Sequence, residues 1–262
     1  MITSAGNAKI KFVRSLLSDK NEREEKKAFV LEGVRLAEEC LAALCIPEMI
    51  LYSESISKRG LMVLEQLRKT TDQVYEVSTE LLDRVSDTRT SQGILIVLRY
   101  IDIKIPRNVD FALVLDRISD PGNLGTILRT AGACGVHAVL ITSGSADLYN
   151  PKVVRAGMGA HFKLPIRIMD INEIQNFCKK QVIMPLEIVI SEVTGGIPCW
   201  EFNLNQPICL VVGSEADGVS KEIKEKADTR IHIPMKNNIE SYNASVAAGI
   251  LMFETLRQRK IS

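Results

Sequence analysis

Short apolar runs alternate with amphipathic stretches along the whole chain, and the alternation is clearest in its second half. There, continuous apolar runs of strand length, such as residues 111–115 and 208–212, are separated by segments whose apolar residues recur every three or four positions. Runs without polar alternation are typical of strands that are buried on both faces. The pattern predicts an α/β domain built on a mainly parallel sheet with helices on both faces.

The first hundred residues show the same alternation on a smaller scale. A basic amphipathic stretch, "NAKIKFVRSLLSD", opens this part, and four strand-like apolar runs with helical segments between them follow. Residues 101–109 then interrupt the apolar pattern with a proline, an arginine and an asparagine. We therefore predict a small α/β domain over residues 1–105 and a second domain over residues 106–262, with a linker around 101–109.

Composition narrows the class of protein and its partners. The formal net charge of the 262 residues is only +1, so any surface for a polyanion must be a local patch. The six cysteines form no C-x-x-C pair, which favours buried reduced thiols over a zinc site or disulfides. The N-terminus lacks the apolar core of a signal peptide, and no run approaches the roughly 20 apolar residues of a membrane span. These features predict a soluble cytoplasmic protein with no membrane or metal partner.

Three polar loops follow strands of the second half. They read "SDPGNLG" at residues 119–125, "GSEADGVS" at 213–220 and "IPMKNNIESYNAS" at 233–245. Since ligands bind beyond the carboxyl ends of parallel strands, we expect these loops to form one site. The loops lack dinucleotide-site glycine spacing and the lysine of a phosphate loop, and the three histidines suggest no Ser-His or Cys-His pair. Hydrolysis, nucleotide cleavage and metal chemistry are therefore disfavoured.

Arg129 falls off the apolar stripe of the helix predicted after the first loop. That stripe consists of Leu124, Ile127, Leu128 and Ala131. An arginine at this position is either a solvated surface residue or a bidentate ligand for a phosphate or ribose. Glu215 in the second loop is likewise either an electrostatic partner of helix amides or a functional carboxylate.

The starts of two helices also allow two interpretations. Asp120 or Asn123 is a candidate N-cap of the first helix, and Ser241 or Asn243 is a candidate N-cap of the last. The last helix opens with small residues and includes Gly249, which costs about 1 kcal/mol relative to alanine. We expect a packing or binding reason that offsets this cost.

In these three loops the sequence closely resembles the SpoU (TrmH) family of RNA ribose 2′-O-methyltransferases. The matching segments are "DPGNLGTILRTA", "VVGSEADGVS" and "IPMKNNIESYNASVAAGILMFE", in the order and spacing of the family's three motifs. The segments "FVLEGVRLAEE" and "TSQGILIVL" are similar to the substrate-binding domain of the rRNA-directed branch, a small α/β domain resembling a ribosomal-protein fold. The resemblance implies a knotted parallel-sheet methyltransferase domain, S-adenosyl-L-methionine as cofactor, and a homodimer whose site is shared across the interface.

The resemblance also implies roles for individual residues. The positions with catalytic roles in the family fall on Asn123, Arg129, Glu215, Ser241 and Asn243. Those that contact the cofactor fall on Gly213, Ile233, Tyr242 and Asn243, although the family commonly has leucine where Tyr242 stands. RNA contacts are expected from Lys9, Lys11, Arg14 and Arg129, and the first three could equally form a solvated helix face.

The chemistry limits what Arg129 does. A guanidinium with a pKa above about 12 is a poor base at neutral pH, so we expect Arg129 to orient the RNA and stabilise the developing alkoxide. Ribosomal RNA is the favoured substrate and tRNA is possible. The alternatives are a knotted base methyltransferase, a non-catalytic RNA-binding relative and, more distantly, a dehydrogenase.

Overall fold

The computed structural model describes residues 1–88, 91–237 and 240–260. By contacts the chain divides into two compact units, one comprising Met1–Ile101 with Asp147–Phe162 and the other Asp102–Ala146 with Lys163–Ser262. The first change of unit lies within the predicted linker. The prediction places all of residues 106–262 in one domain, and the structure differs because residues 147–162 group with the first unit.

The first unit is built on a four-stranded sheet. Its order is β1-β4-β2-β3, with β1 Ala28–Glu32, β2 Met49–Tyr52, β3 Val74–Glu76 and β4 Ile94–Arg99. Strand β4 runs antiparallel to β1 and β2, and β2 runs parallel to β3. The helices that precede or connect these strands are α1 Ala8–Ser18, α2 Lys20–Lys26, α3 Val34–Ala42, α4 Lys58–Leu67 and α5 Thr79–Val85.

Both faces of this sheet are covered. Phe29 and Leu31 belong to a core that includes residues of α3 and α4, whereas Ala28 and Val30 belong to a core with α1 and α5. This double burial explains why the strands read as continuous apolar runs. The predicted α/β class and strand positions of this unit are confirmed, but α2 is not predicted because its sequence, "KNEREEK", has no apolar stripe.

Segment 147–162 contacts the rest of the first unit through buried polar groups. The Arg23 guanidinium, almost fully buried, forms an ion pair of 2.7 Å with Asp147 and donates a hydrogen bond of 2.6 Å to the Leu16 carbonyl. Within the segment itself, His161 Nε2 donates to the Leu148 carbonyl at 2.8 Å, and burial lowers the pKa of this imidazole, which favours its neutral form. Helix α7, Pro151–Gly157, and a 3-10 helix, Ala160–Phe162, lie in this segment.

The second unit is built on a seven-stranded sheet in which every neighbouring pair is parallel. Its order is β7-β6-β5-β10-β8-β11-β9, with β5 Phe111–Asp116, β6 Ala138–Ile141, β7 Ile166–Ile168, β8 Glu187–Glu192, β9 Ile197–Pro198, β10 Ile208–Gly213 and β11 Thr229–His232. The predicted parallel sheet is confirmed. The two-residue strand β9 is too short to leave a periodic signal.

Helices cover both faces of the second sheet, as predicted. They are α6 Pro121–Ala133, α8 Ile171–Lys179, α9 Lys221–Lys224 and α10 Ala244–Lys260. Helices α6 and α10 pack against each other, while α8 and α9 bury Ile174, Cys178 and Ile223 against the opposite face. Within the described ranges, no helix is both long and apolar enough to span a bilayer.

Candidate active site

A cavity of about 360 Å³ opens at the carboxyl edge of the second sheet. Its wall consists of residues 191–194, residues 212–219, Lys224, Ile233, Met235, Ser241, Tyr242, Ala244 and Ala247. The second and third of the segments predicted to converge therefore line one cavity, whereas the first, residues 119–125, is not part of its wall. Residues 238 and 239 of the third loop lie outside the described chain. Gly213, Ile233, Tyr242 and Ser241, all named from the sequence, line this cavity.

The second loop is a tight turn that requires glycine. Ser214 and Gly218 exchange two backbone hydrogen bonds of 2.9 and 3.1 Å, and Gly218 has a φ of +66°. A Cβ on Gly213 would lie 2.1 Å from the Gly218 carbonyl carbon, so no other residue fits there without moving the loop. The turn places the exposed residue Glu215 in the wall of the cavity.

Asp116 links this loop to the end of strand β5 by a hydrogen bond. The carboxylate is buried at the end of β5, where Oδ1 accepts a hydrogen bond of 2.8 Å from Thr142 and Oδ2 accepts one of 2.7 Å from the Ser220 amide. Sequence reasoning missed this residue. The sequence feature that could have identified it is a carboxylate directly after a fully apolar strand, because an unpaired charge would be costly in that buried position.

Glu215 accepts hydrogen bonds from residues at the beginnings of helices α6 and α10. Its Oε1 accepts a hydrogen bond from Asn123 Nδ2 of α6 and another, of 3.0 Å, from Asn243 Nδ2 before α10. Asn243 Nδ2 also lies 3.2 Å from Asn123 Oδ1. The structure therefore brings together three of the five residues predicted as catalytic.

The cap geometry decides between the interpretations left open for these residues. Asp120 is the N-cap of α6 and accepts from the Asn123 amide at 2.8 Å, so the N-cap interpretation of Asn123 is wrong. Asn243 caps α10, because its Oδ1 accepts from the Ser245 amide at 2.9 Å. Ser241 is an exposed residue at the cavity instead. The Asn123 side chain is thus available to Glu215.

Arg129 lies apart from these residues. It is exposed on α6, off the buried stripe of Leu124, Ile127, Leu128 and Ala131, as predicted. No hydrogen bond or ion pair links it to Glu215 in the described part of the chain, where Glu215 holds two asparagines instead. Six residues separate Arg129 from Asn123, which places the two about a third of a turn apart around the helix.

Three of the four predicted RNA contacts, Lys9, Lys11 and Arg14, lie on α1, and the fourth is Arg129 on α6. Lys11 and Arg14 are exposed, and the Lys9 ammonium lies 4.4 Å from the centroid of the Tyr75 ring. Lys9 is therefore partly engaged in a cation–π contact, whereas Lys11 and Arg14 project from an open helix face.

Two charged residues of the cavity were not predicted. Glu192, at the end of β8, and Lys224, in α9, line it and form an ion pair of 2.9 Å. No local pattern signals a pair between residues so far apart in sequence. No group of three or more metal-ligating side chains was found in the described part of the chain.

A second, apolar cavity lies beside the first. Its lining includes Trp200, Val246, Gly249, Ile250 and Phe253, and Ile233 lines both cavities. Val246, Gly249, Ile250 and Phe253 have the spacing of one helical stripe, and Val246 and Phe253 are exposed. A Cβ on Gly249 would meet only Thr130 at 4.0 Å, so packing among the described residues does not require glycine there.

Comparison with known proteins identifies the family. Residues 110–253, more than half of the chain, match the model of the SpoU rRNA Methylase family, and residues 7–96 match that of the MRM3-like substrate binding domain. The chain belongs to the SpoU rRNA methylase family. The resemblance seen in the three motifs is confirmed.

Relatives match along nearly the whole chain. The 23S rRNA (guanosine(2553)-2′-O)-methyltransferase of Bacillus subtilis is 31% identical over 96% of this chain and 97% of its own. The 23S rRNA (uridine(2479)-2′-O)-methyltransferase of Streptomyces viridochromogenes is 29% identical over 97% and 91%. The structure of the SpoU methyltransferase AviRb from Streptomyces viridochromogenes, in complex with the cofactor AdoMet, has a TM-score of 0.88, with 27% identity over 98% of this chain and 100% of that one.

We expect Asp116→Asn to lower the free energy of unfolding by about 1–3 kcal/mol, because an amide nitrogen would face the Thr142 hydroxyl or the Ser220 amide and leave a buried donor unpaired. Urea unfolding measures the loss. The matched control is Asp217→Asn, which changes an exposed carboxylate of the same loop. Equal stability of the two variants would contradict the role assigned to Asp116.

Proposed function

We propose that this protein transfers a methyl group from S-adenosyl-L-methionine to a ribose 2′-hydroxyl of rRNA. The observation that carries the proposal is the hydrogen-bonded group Asn123, Glu215 and Asn243 beside a cavity at the carboxyl edge of a parallel sheet. The named activities of the relatives support ribose over base and rRNA over tRNA. An rRNA substrate also fits the cytoplasm as the working compartment.

The cavity suits this cofactor. Ala244 and Ala247 contribute small side chains to its wall, which leave room for an adenine ring. The carboxylates of Glu192, Glu215 and Asp217 outnumber the single Lys224 ammonium in the lining. An acidic cavity attracts a cationic sulfonium. When bound, the cofactor supplies an electrophilic methyl group. Gly213, Ile233 and Tyr242 hold it, through backbone and apolar contacts.

The polar residues position the nucleophile. Asn243 and Ser241 orient the attacking hydroxyl or the cofactor, and Glu215 holds their loop against α6 through Asn123. Correct placement of the reacting atoms supplies much of such a rate enhancement. Arg129 orients the RNA phosphate and ribose and stabilises the developing alkoxide, because a guanidinium does not accept a proton at neutral pH.

Arg129 acts in the site of a second subunit. It is exposed and has no described hydrogen bond to the polar residues of its own chain, and the neighbouring Thr130 faces Gly249 on the apolar stripe of α10. Exposed Trp200, Val246 and Phe253 make this surface suitable for a self-complementary contact. A homodimer through α10 buries the stripe and explains why glycine stands at 249. The knotted chain path implied by the resemblance stays a prediction.

Purified protein with labelled S-adenosylmethionine is expected to label rRNA from a strain that lacks the gene. Nuclease digestion and mass spectrometry should then find the label in a 2′-O-methylnucleoside, and tRNA from the same strain is the control substrate. Label on a base would contradict ribose chemistry, and label only in tRNA would contradict the substrate. Cofactor binding without label on any RNA would favour the non-catalytic alternative.

Heterodimers test whether Arg129 works across the interface. Arg129→Ala and Asn243→Ala homodimers should each lose at least a hundredfold in methyl transfer. A heterodimer of the two, isolated with two affinity tags, should regain about half of the wild-type rate, because one of its two sites then contains both residues. No recovery, with the dimer intact by light scattering, would place Arg129 in its own subunit's site.

Replacing Lys11 and Arg14 together by Gln should weaken RNA binding and reduce the salt dependence of the binding constant. Each lost phosphate contact lowers the slope of log K against log salt by about 0.7–0.9. The matched control replaces two other exposed lysines, Lys58 at the start of α4 and Lys69 in the turn after that helix. An unchanged slope would mean that Lys11 and Arg14 form only a solvated face.

A further inference from the structure

We propose that the Glu192 carboxylate, held in place by Lys224, accepts hydrogen bonds from the methyl donor inside the cavity. The inference rests on the cavity being the cofactor site, as proposed above. It adds a specificity-determining residue and a positioning residue that lie outside the three loop motifs.

Glu192 lies at the carboxyl end of an inner strand of the second sheet. It is the last residue of β8, with β10 on one side and β11 on the other, and His232 is its partner in the β11 register. Its side chain is only 16% exposed, whereas Glu215 and Asp217 are exposed residues. Because Coulomb interactions strengthen as water is excluded, Glu192 is the cavity carboxylate with the most influence on a bound ligand.

Two cations orient the Glu192 carboxylate. Lys224 Nζ lies 2.9 Å from Oε1, and Arg230 Nη1 lies 3.8 Å from Oε2, so two cations on two other elements fix the group. A carboxylate has about four acceptor directions. No neutral donor of the described chain occupies the remaining ones, and Glu192 and Lys224 both line the cavity.

The chemistry of the proposed ligand matches a carboxylate acceptor. S-adenosylmethionine offers two sets of hydrogen-bond donors, the vicinal hydroxyls of its ribose and its ammonium group. Carboxylates at the ends of parallel strands serve ribose hydroxyls in other nucleotide sites, and a carboxylate suits an ammonium equally well. Both sources present the same chemistry to Glu192, so the test must separate them.

Isothermal titration of S-adenosylmethionine into Glu192→Gln should give a dissociation constant raised about tenfold or more, because charged hydrogen bonds are lost. The matched control is Glu225→Gln, an acidic residue at the end of α9 that does not line the cavity. A lower melting temperature with an unchanged dissociation constant would mean that Glu192 only stabilises the packing of α9 through Lys224. That result would overturn the proposal.

Methylthioadenosine, which has the ribose but no ammonium, separates the two donor sets. If Glu192→Gln weakens its binding as much as that of S-adenosylmethionine, the contact is to the ribose. If only S-adenosylmethionine is affected, the contact is to the ammonium. For the positioning role, Lys224→Met should raise the dissociation constant several-fold and Lys224→Arg should restore it, because either cation orients the carboxylate.

A separate variant tests the cavity itself. The larger side chain of Ala247→Leu would occupy part of the cavity, so this substitution should abolish binding of S-adenosylmethionine if the cavity is the cofactor site. Loss in Ala247→Leu with no change in Glu192→Gln would keep the proposed function and reject the role of Glu192. Normal binding in both would reject the cavity assignment and this inference with it.

Discussion

Parallel pairing of seven strands is the constraint on which the site depends. All carboxyl ends of these strands point to one edge, and this is how Asn123, Glu215 and Asn243, which lie up to 120 positions apart, come within hydrogen-bond distance. The pairing alone leaves the loops free to move. Asp116 completes the arrangement, because its buried carboxylate needs both of its donors and thereby fixes the loop after β10 to the end of β5.

Much of the fold could be predicted from hydrophobic periodicity. Runs buried on both faces identified the strands, and stripes such as that of α6 identified the helices. The polar helix α2 could not be predicted because it has no apolar stripe. The grouping of residues 147–162 could not be predicted because its contacts, such as the buried ion pair between Arg23 and Asp147, join residues 124 positions apart. A contact of that range leaves no trace in local sequence.

The site was predictable to a different extent. The motifs drew attention to the residues that line the cavity, but the sequence could not separate a cap from a functional amide. Asp120 and Asn123 are both good N-cap types, and only the observed bond from the Asn123 amide to Asp120 decides between them. Glu192 and Lys224 stayed unnoticed because each belongs to an ordinary strand or helix, and only the fold joins them.

Ile233 lines both the cavity proposed for the cofactor and the apolar cavity lined by residues of α10. One side chain therefore contributes to two binding surfaces. In the proposed homodimer, a change in its rotamer alters the shape of both, so that ligand occupancy and subunit association share a free-energy term. By thermodynamic reciprocity, whatever the cofactor adds to the strength of self-association, self-association adds to the affinity for the cofactor.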